Sequence, residues 1–179
     1  MAGIEEMIDD ILRREGGYVD HPADRGGPTN FGITQNTLSR YIGRAALKSE
    51  VRNLSEDVAR DIYESKYFEG PRIHRLPEEI QPFIFDCAVN HGPRRAIKFV
   101  QSVINQAGRE PPLDEDGAMG PNTAKAAAWA QNTMGDYFLK ALLEERRNFY
   151  RTIVAARPSQ EVFLRGWMNR VDEFEQEVA

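Results

Sequence analysis

The segment that decides the fold opens with Glu15-Gly16-Gly17-Tyr18 and closes with Asp24-Arg25-Gly26-Gly27-Pro28-Thr29-Asn30-Phe31-Gly32-Ile33-Thr34. Seven of the chain's 14 glycines and 10 prolines lie between Gly16 and Gly32, a density that permits tight turns and no long helix. A short hairpin or an irregular loop is expected there. Immediately upstream, Ile4, Met7, Ile8, Ile11 and Leu12 recur at helical spacing, with Glu5, Glu6, Asp9, Asp10 and Arg13 off the stripe. An amphipathic helix therefore delivers Glu15 to the loop and stops at Gly16-Gly17.

Working outward, the rest of the chain reads as helices. Ser55 ahead of Glu56 and Asp57 is an N-cap with acids in the first turn, and Val58, Ile62 and Tyr63 carry that helix to about Phe68. The next helix, Glu79 to His91, sets Ile80, Phe83, Ile84, Cys87 and Ala88 on one face. Gly92-Pro93 parts it from another that holds Ile97, Phe99, Val100 and Ile104. After a polar connection, Pro121 stands at a first helical position; further helices follow over about 136–156 and, beyond Pro158-Ser159, from Val162 to Phe174. The fold class is mainly α, with the Gly/Pro-rich segment as its one elaboration.

A chain of 179 residues with 23 basic against 28 acidic side chains carries net charge −5, which disfavours a nucleic-acid-binding domain. Its apolar runs are a few residues long, short of the ~20 that cross a bilayer, and residues 1–14 lack the basic-then-apolar order of a secretion signal. Synthesis in the cytoplasm is expected. Cys87, the single cysteine, sits among Phe83, Ile84, Phe85 and Ala88 and reads as a small buried hydrophobe. His21, His74 and His91 show no metal-ligand spacing, and Asp114, Asp116 and Gly117 lack the later glutamate of a calcium loop. No cofactor and no metal is expected.

Two carboxylates flank the turn segment: Glu15 at the helix end and Asp24 nine residues on. Cleaving a glycosidic bond needs one carboxyl that delivers a proton to the leaving oxygen and one ionised carboxylate that positions water or stabilises positive charge on the sugar. A carboxyl at a helix C-terminus, packed against Tyr18 or Phe31, is biased toward its protonated form, whereas a loop aspartate stays ionised. Glu15 is thus the acid candidate and Asp24 its partner, although two surface charges near a helix end would look the same.

The same string resembles the opening signature of glycoside hydrolase family 108, the N-acetylmuramidases of phages and prophage-like lysis cassettes: glutamate-Gly-Gly-Tyr, then Asp-x-Gly-Gly-x-Thr-Asn-x-Gly-Ile, each fixed letter present in order. Phe85-Asp86-Cys87-Ala88-Val89-Asn90-His91-Gly92 is similar to the family's second helix signature. Asp116-Gly117-Ala118-Met119-Gly120-Pro121-Asn122-Thr123 is similar to the peptidoglycan-binding segment that follows it. The resemblance implies a lysozyme-like fold, Glu15 as general acid, and hydrolysis of the β-1,4 bond between N-acetylmuramic acid and N-acetylglucosamine in peptidoglycan. It also implies an endolysin that reaches the wall through a holin-type lesion or an exporter. Related phage lysozymes carry a threonine six residues after the aspartate; that position here is Asn30 and the threonine is Thr29, so both stand as candidates for orienting water.

For substrate contacts, Tyr18, Phe31, Tyr63 and Tyr67 can stack on sugars, and Asn90 and His91, at a helix end, suit N-acetyl and hydroxyl groups. The expected organisation is a catalytic segment over 1–95 and a helical peptidoglycan-binding segment over 96–179, packed as one compact unit and favoured as a monomer. A lytic transglycosylase acting on the same bond and a non-catalytic wall-binding or secretion-assisting module are the alternatives.

Overall fold

The computed structural model describes residues 3–20 and 27–176, which hold nine α-helices and one two-stranded sheet. The chain divides into two compact units, residues 1–70 and 71–179.

In the first unit, α1 (Ile4–Glu15) buries Met7, Ile8 and Ile11 and leaves its acidic face outward. The loop that follows returns as a hairpin of β1 (Thr29–Asn30) and β2 (Ile33–Thr34), with Thr29 opposite Thr34 and Asn30 opposite Ile33. Val19 adds a bridge on the other edge, exchanging both backbone hydrogen bonds with Thr29 at 2.8 Å. The strand alternation turns Asn30 and Ile33 inward, while Thr29 and Thr34 are half-buried. Thr34 then caps α2 (Gln35–Ile42), its hydroxyl accepting from the Thr37 amide at 3.1 Å. The short α3 (Lys48–Arg52) and α4 (Glu56–Ile62), capped by Ser55, complete the unit.

Beyond Ile62 the chain departs from the regular helix expected to Phe68. Residues Tyr63–Glu69 form a π-helix that ends with the Gly70 amide bonded to the Ser65 carbonyl at 2.9 Å. Tyr63, four residues after the buried Ala59 and so on the same helical face, is 2% exposed, and the widening to a π-helix follows it. Arg60, near the end of α4, ion-pairs with Glu56 at 2.9 Å, with Glu5 at 3.3 Å and with Asp9. Two of those partners lie on α1, so the helix carrying Glu15 is tied to the one leading into the π-helix.

The second unit is built around α5 (Gln81–His91), whose residues 83–88 are all buried, the signature of a helix enclosed on every side. It packs on α6 (Pro93–Gln106), and α8 (Asp136–Ala156) packs on both α6 and α9 (Glu161–Gln176), with α7 (Pro121–Met134) against α6 and α8. Cys87 is wholly buried, and burial pushes its thiol up to about 12. The connection before α7 is held by Gln101. Its Nε2 donates to Asp116 Oδ1 at 2.9 Å and its Oε1 accepts from the Gly117 amide at 2.8 Å. Gly117 has φ +77° and lies so close to Arg94 that a β-carbon would stand 2.5 Å from its carbonyl oxygen. Only glycine fits.

Candidate active site

Glu15 is the last residue of α1 and half-buried. What faces it is the hairpin turn. Phe31 and Gly32 both have positive φ, +51° and +76°, as a two-residue hairpin turn requires. A β-carbon on Gly32 would lie 2.8 and 2.9 Å from Glu15 Cβ and Cγ and 2.7 Å from the Tyr63 hydroxyl oxygen. The missing side chain is what lets the turn sit directly on the candidate acid. Tyr63 fixes that turn from below by donating its hydroxyl to the Phe31 carbonyl at 2.6 Å. Its ring stands 5.7 Å from that of half-buried Tyr67.

Glu15, Phe31 and Tyr67 are therefore joined in one cluster through Gly32 and Tyr63. Tyr18 stands beside the same loop, half-buried, with its hydroxyl donating to Asp20 at 3.3 Å and the Arg52 guanidinium 5.2 Å from its ring centre. Thr29 has a half-buried side chain on the central strand. Asn30 is 7% exposed, and its amide donates to the Arg52 carbonyl at 3.1 Å, a bond that ties the hairpin to α3. Asp24 lies outside the described residues, in the sequence between the bridged pair Val19 and Thr29.

Asn90 and His91 close α5 in the second unit and belong to a different network. Asp86 is fully buried and accepts from Arg146 Nη1 at 2.7 Å and from Arg170 Nη2 at 2.8 Å. Burial alone would raise the Asp86 carboxyl; the two guanidiniums outweigh it and hold it below the usual carboxylate range. Arg146 also donates from Nε to His91 Nε2 at 3.0 Å, and Tyr150 donates to Asn90 Oδ1 at 3.0 Å. Burial first, and Arg146 second, depress the His91 imidazole to about 3, so it is neutral and an acceptor at that nitrogen. The exposed amide of Asn90 remains at the surface.

Residues 8–92 match the family model described as glycosyl hydrolase 108, and residues 95–172 match the one described as a predicted peptidoglycan domain. The structure of Brucella abortus SagA is 31% identical, covers 98% of this chain and 92% of its own, and superposes with a TM-score of 0.81. The chain belongs to the glycosyl hydrolase 108 family. It is a glycoside hydrolase acting on peptidoglycan, with the mainly helical, lysozyme-like fold of the family. No curated protein matches it. Among the described residues, no helix is long and apolar enough to cross a membrane.

The sequence signature of a family 108 enzyme contains both ends of the site, Glu15 and the Phe31-Gly32 turn. Tyr63, whose helical spacing fits a core aromatic as well as a sugar-stacking one, is buried, and its hydroxyl is the clamp of that turn. The two boundaries of the family models fall at Gly92 and Arg95, yet Asp86 before them pairs with Arg146 and Arg170 beyond them. An aspartate inside an otherwise apolar run was the signal for those partners.

Proposed function

We propose that the chain is an N-acetylmuramidase in which Glu15 protonates the glycosidic oxygen between N-acetylmuramic acid and N-acetylglucosamine, and Asp24 stabilises the developing positive charge or positions water. The observation that carries this reading is the seating of the Phe31-Gly32 turn on Glu15, with Tyr63 holding the turn from behind. A general acid must keep one orientation toward the leaving oxygen. Glycine at 32 supplies close approach without bulk, and the Tyr63 hydrogen bond supplies rigidity. Thr29, on the half-buried face of the central strand, is the residue that orients water. Asn30, with its amide given to Arg52, positions the hairpin. Tyr18, Phe31 and Tyr67 line the loop as sugar contacts.

The resemblance to muramidases of lysis cassettes supports an endolysin role, acting as a monomer on the wall after release through a holin-type lesion or an exporter. Mass spectrometry of muropeptides released from purified walls tests the bond. Products with reducing N-acetylmuramic acid are expected. Reducing N-acetylglucosamine would place the cut on the other bond, and 1,6-anhydro ends would make the enzyme a lytic transglycosylase.

A further inference from the structure

The segment that matches the peptidoglycan domain contains an open groove of about 230 Å³ whose walls are α6 and α8, lined by Arg95, Lys98, Ser102, Glu145, Asn148 and Phe149. Its floor is aromatic, with Phe99 and Phe149 edge to face at 5.3 Å. An aromatic floor ordinarily suggests sugar stacking. Here the Arg95 guanidinium already lies 4.8 Å from the centre of the Phe149 ring. The remaining contacts of that ring go to His91, Phe99 and Tyr150.

Charge gives the groove its character. Neither Arg95 nor Lys98 has an ion-pair partner among the described residues. Glu145, which accepts from Gln106 at 3.0 Å, and Glu115, which accepts from Asn105 at 3.1 Å, supply two carboxylates to the same groove. A glycan of hydroxyls and acetamides would leave two cations and two carboxylates facing neutral groups. A purely anionic polymer would meet the glutamates. Peptidoglycan's other component, the stem peptide, carries free carboxylates and, on its dibasic residue, a free ammonium, which match both signs at once.

We propose that the groove between α6 and α8 binds the stem peptide of peptidoglycan, its carboxylates on Arg95 and Lys98 and its ammonium toward Glu115 and Glu145. The proposal rests on peptidoglycan being the substrate, and it assigns the second half of the chain to the peptide while the cluster around Glu15 handles the sugar.

The test titrates the isotope-labelled full-length chain by NMR with L-Ala-γ-D-Glu-meso-diaminopimelate and, separately, with a tetramer of N-acetylglucosamine. The tripeptide should shift the amides of Arg95, Lys98 and Phe149, with binding weakened about tenfold by Lys98→Glu, less by Lys98→Ala, and progressively by added salt. Lys98 has no ion-pair partner to lose among the described residues, so both variants should melt as the parent does. Unchanged tripeptide affinity in Lys98→Glu, or groove shifts induced by the sugar tetramer, would overturn the proposal. Release of reducing ends from intact wall is followed in parallel. A chain that releases them without binding the tripeptide refutes the groove alone, whereas one that binds the tripeptide without releasing them refutes the muramidase reading alone.

Discussion

Tyr63 donates its hydroxyl to the Phe31 carbonyl at 2.6 Å, and the turn it holds leaves space at Gly32 for no more than a hydrogen atom beside Glu15. This joins a residue of the π-helix to a residue of the hairpin turn and, through the turn, to the end of α1. The three elements are fixed at one point. Phe31 is held at φ +51°, a conformation that is uncommon for a bulky side chain and persists only where surrounding contacts impose it.

Tyr63→Phe removes that hydrogen bond and keeps the ring. A buried hydrogen bond of this kind contributes about 1 kcal/mol, so the melting temperature should fall slightly. The larger effect should be on turnover, a reduction of about tenfold as the turn loosens over Glu15. Parallel melting curves and wall-hydrolysis rates separate the two, and a variant that melts earlier yet turns over normally would remove Tyr63 from the positioning role.

Gly32→Ala combines a positive φ with a methyl group placed in contact with Glu15 and Tyr63. Backbone strain of this type costs about 1–3 kcal/mol, and relief requires the turn to move off the acid. Loss of both stability and activity is expected. Activity retained at the parent level would show that the turn need not touch Glu15 during catalysis.

Glu15→Gln preserves shape and removes the transferable proton, so hydrolysis should fall by about 10²-fold or more with little change in melting. Asp24→Asn should lower turnover while leaving retention on insoluble wall intact. A lytic Glu15→Gln protein would mean that another group is the acid.

The helices and the turn segment were legible because their signals are local: apolar spacing in α1, α5 and α6, Ser55 as a cap, Pro121 at the head of α7, and glycine density after Glu15. Side-chain contacts between distant segments were not. Asn30 can serve water or backbone equally well by composition, and only the approach of α3 commits its amide to Arg52. His91 at a helix end suggested a cleft; its ring is instead enclosed by Phe99, Phe149 and Tyr150. The π-helix is invisible to a 3.6-residue period because the widening begins at Tyr63, the last residue of the Val58, Ile62 and Tyr63 stripe. The small helix Lys48–Arg52 carries too few turns to show a stripe.

The buried Asp86 network predicts what truncation does. Cutting after Gln106 leaves Asp86 in the chain and deletes both Arg146 and Arg170, along with the α8 face that covers α6. Removing one side of a buried ion pair costs about 3–5 kcal/mol, before the exposed apolar surface is counted. The fragment should be insoluble or non-cooperative in thermal melting even though Glu15 is present. Within the full chain, Arg146→Met should destabilise by a similar amount, and Asp86→Asn should do so to a lesser degree because the amide still accepts from one guanidinium. A soluble, cooperatively melting, lytic fragment would show that these cations are dispensable for α5.

Acid stability follows from the same network. His91 is neutral in the folded protein with its pKa depressed to about 3, whereas in the unfolded chain it titrates near 6.5, so between those values the unfolded state binds a proton that the folded state refuses. Stability from this residue is complete above pH ~6.5 and declines as pH falls, by at most about 1.4 kcal/mol per pH unit. Asp86, also depressed when folded, acts in the same direction but only below its unfolded value of about 3.9. Between pH 6.5 and 4.5 the slope therefore belongs to His91 and not to Asp86. His91→Gln keeps an acceptor for the Arg146 Nε–H and has no proton to bind, so melting temperature against pH should be flatter over that window and steepen again below pH ~4. If the parent and His91→Gln lose stability in parallel from pH 6.5 to 4.5, the imidazole is not held neutral in the fold by its burial and the neighbouring Arg146 charge.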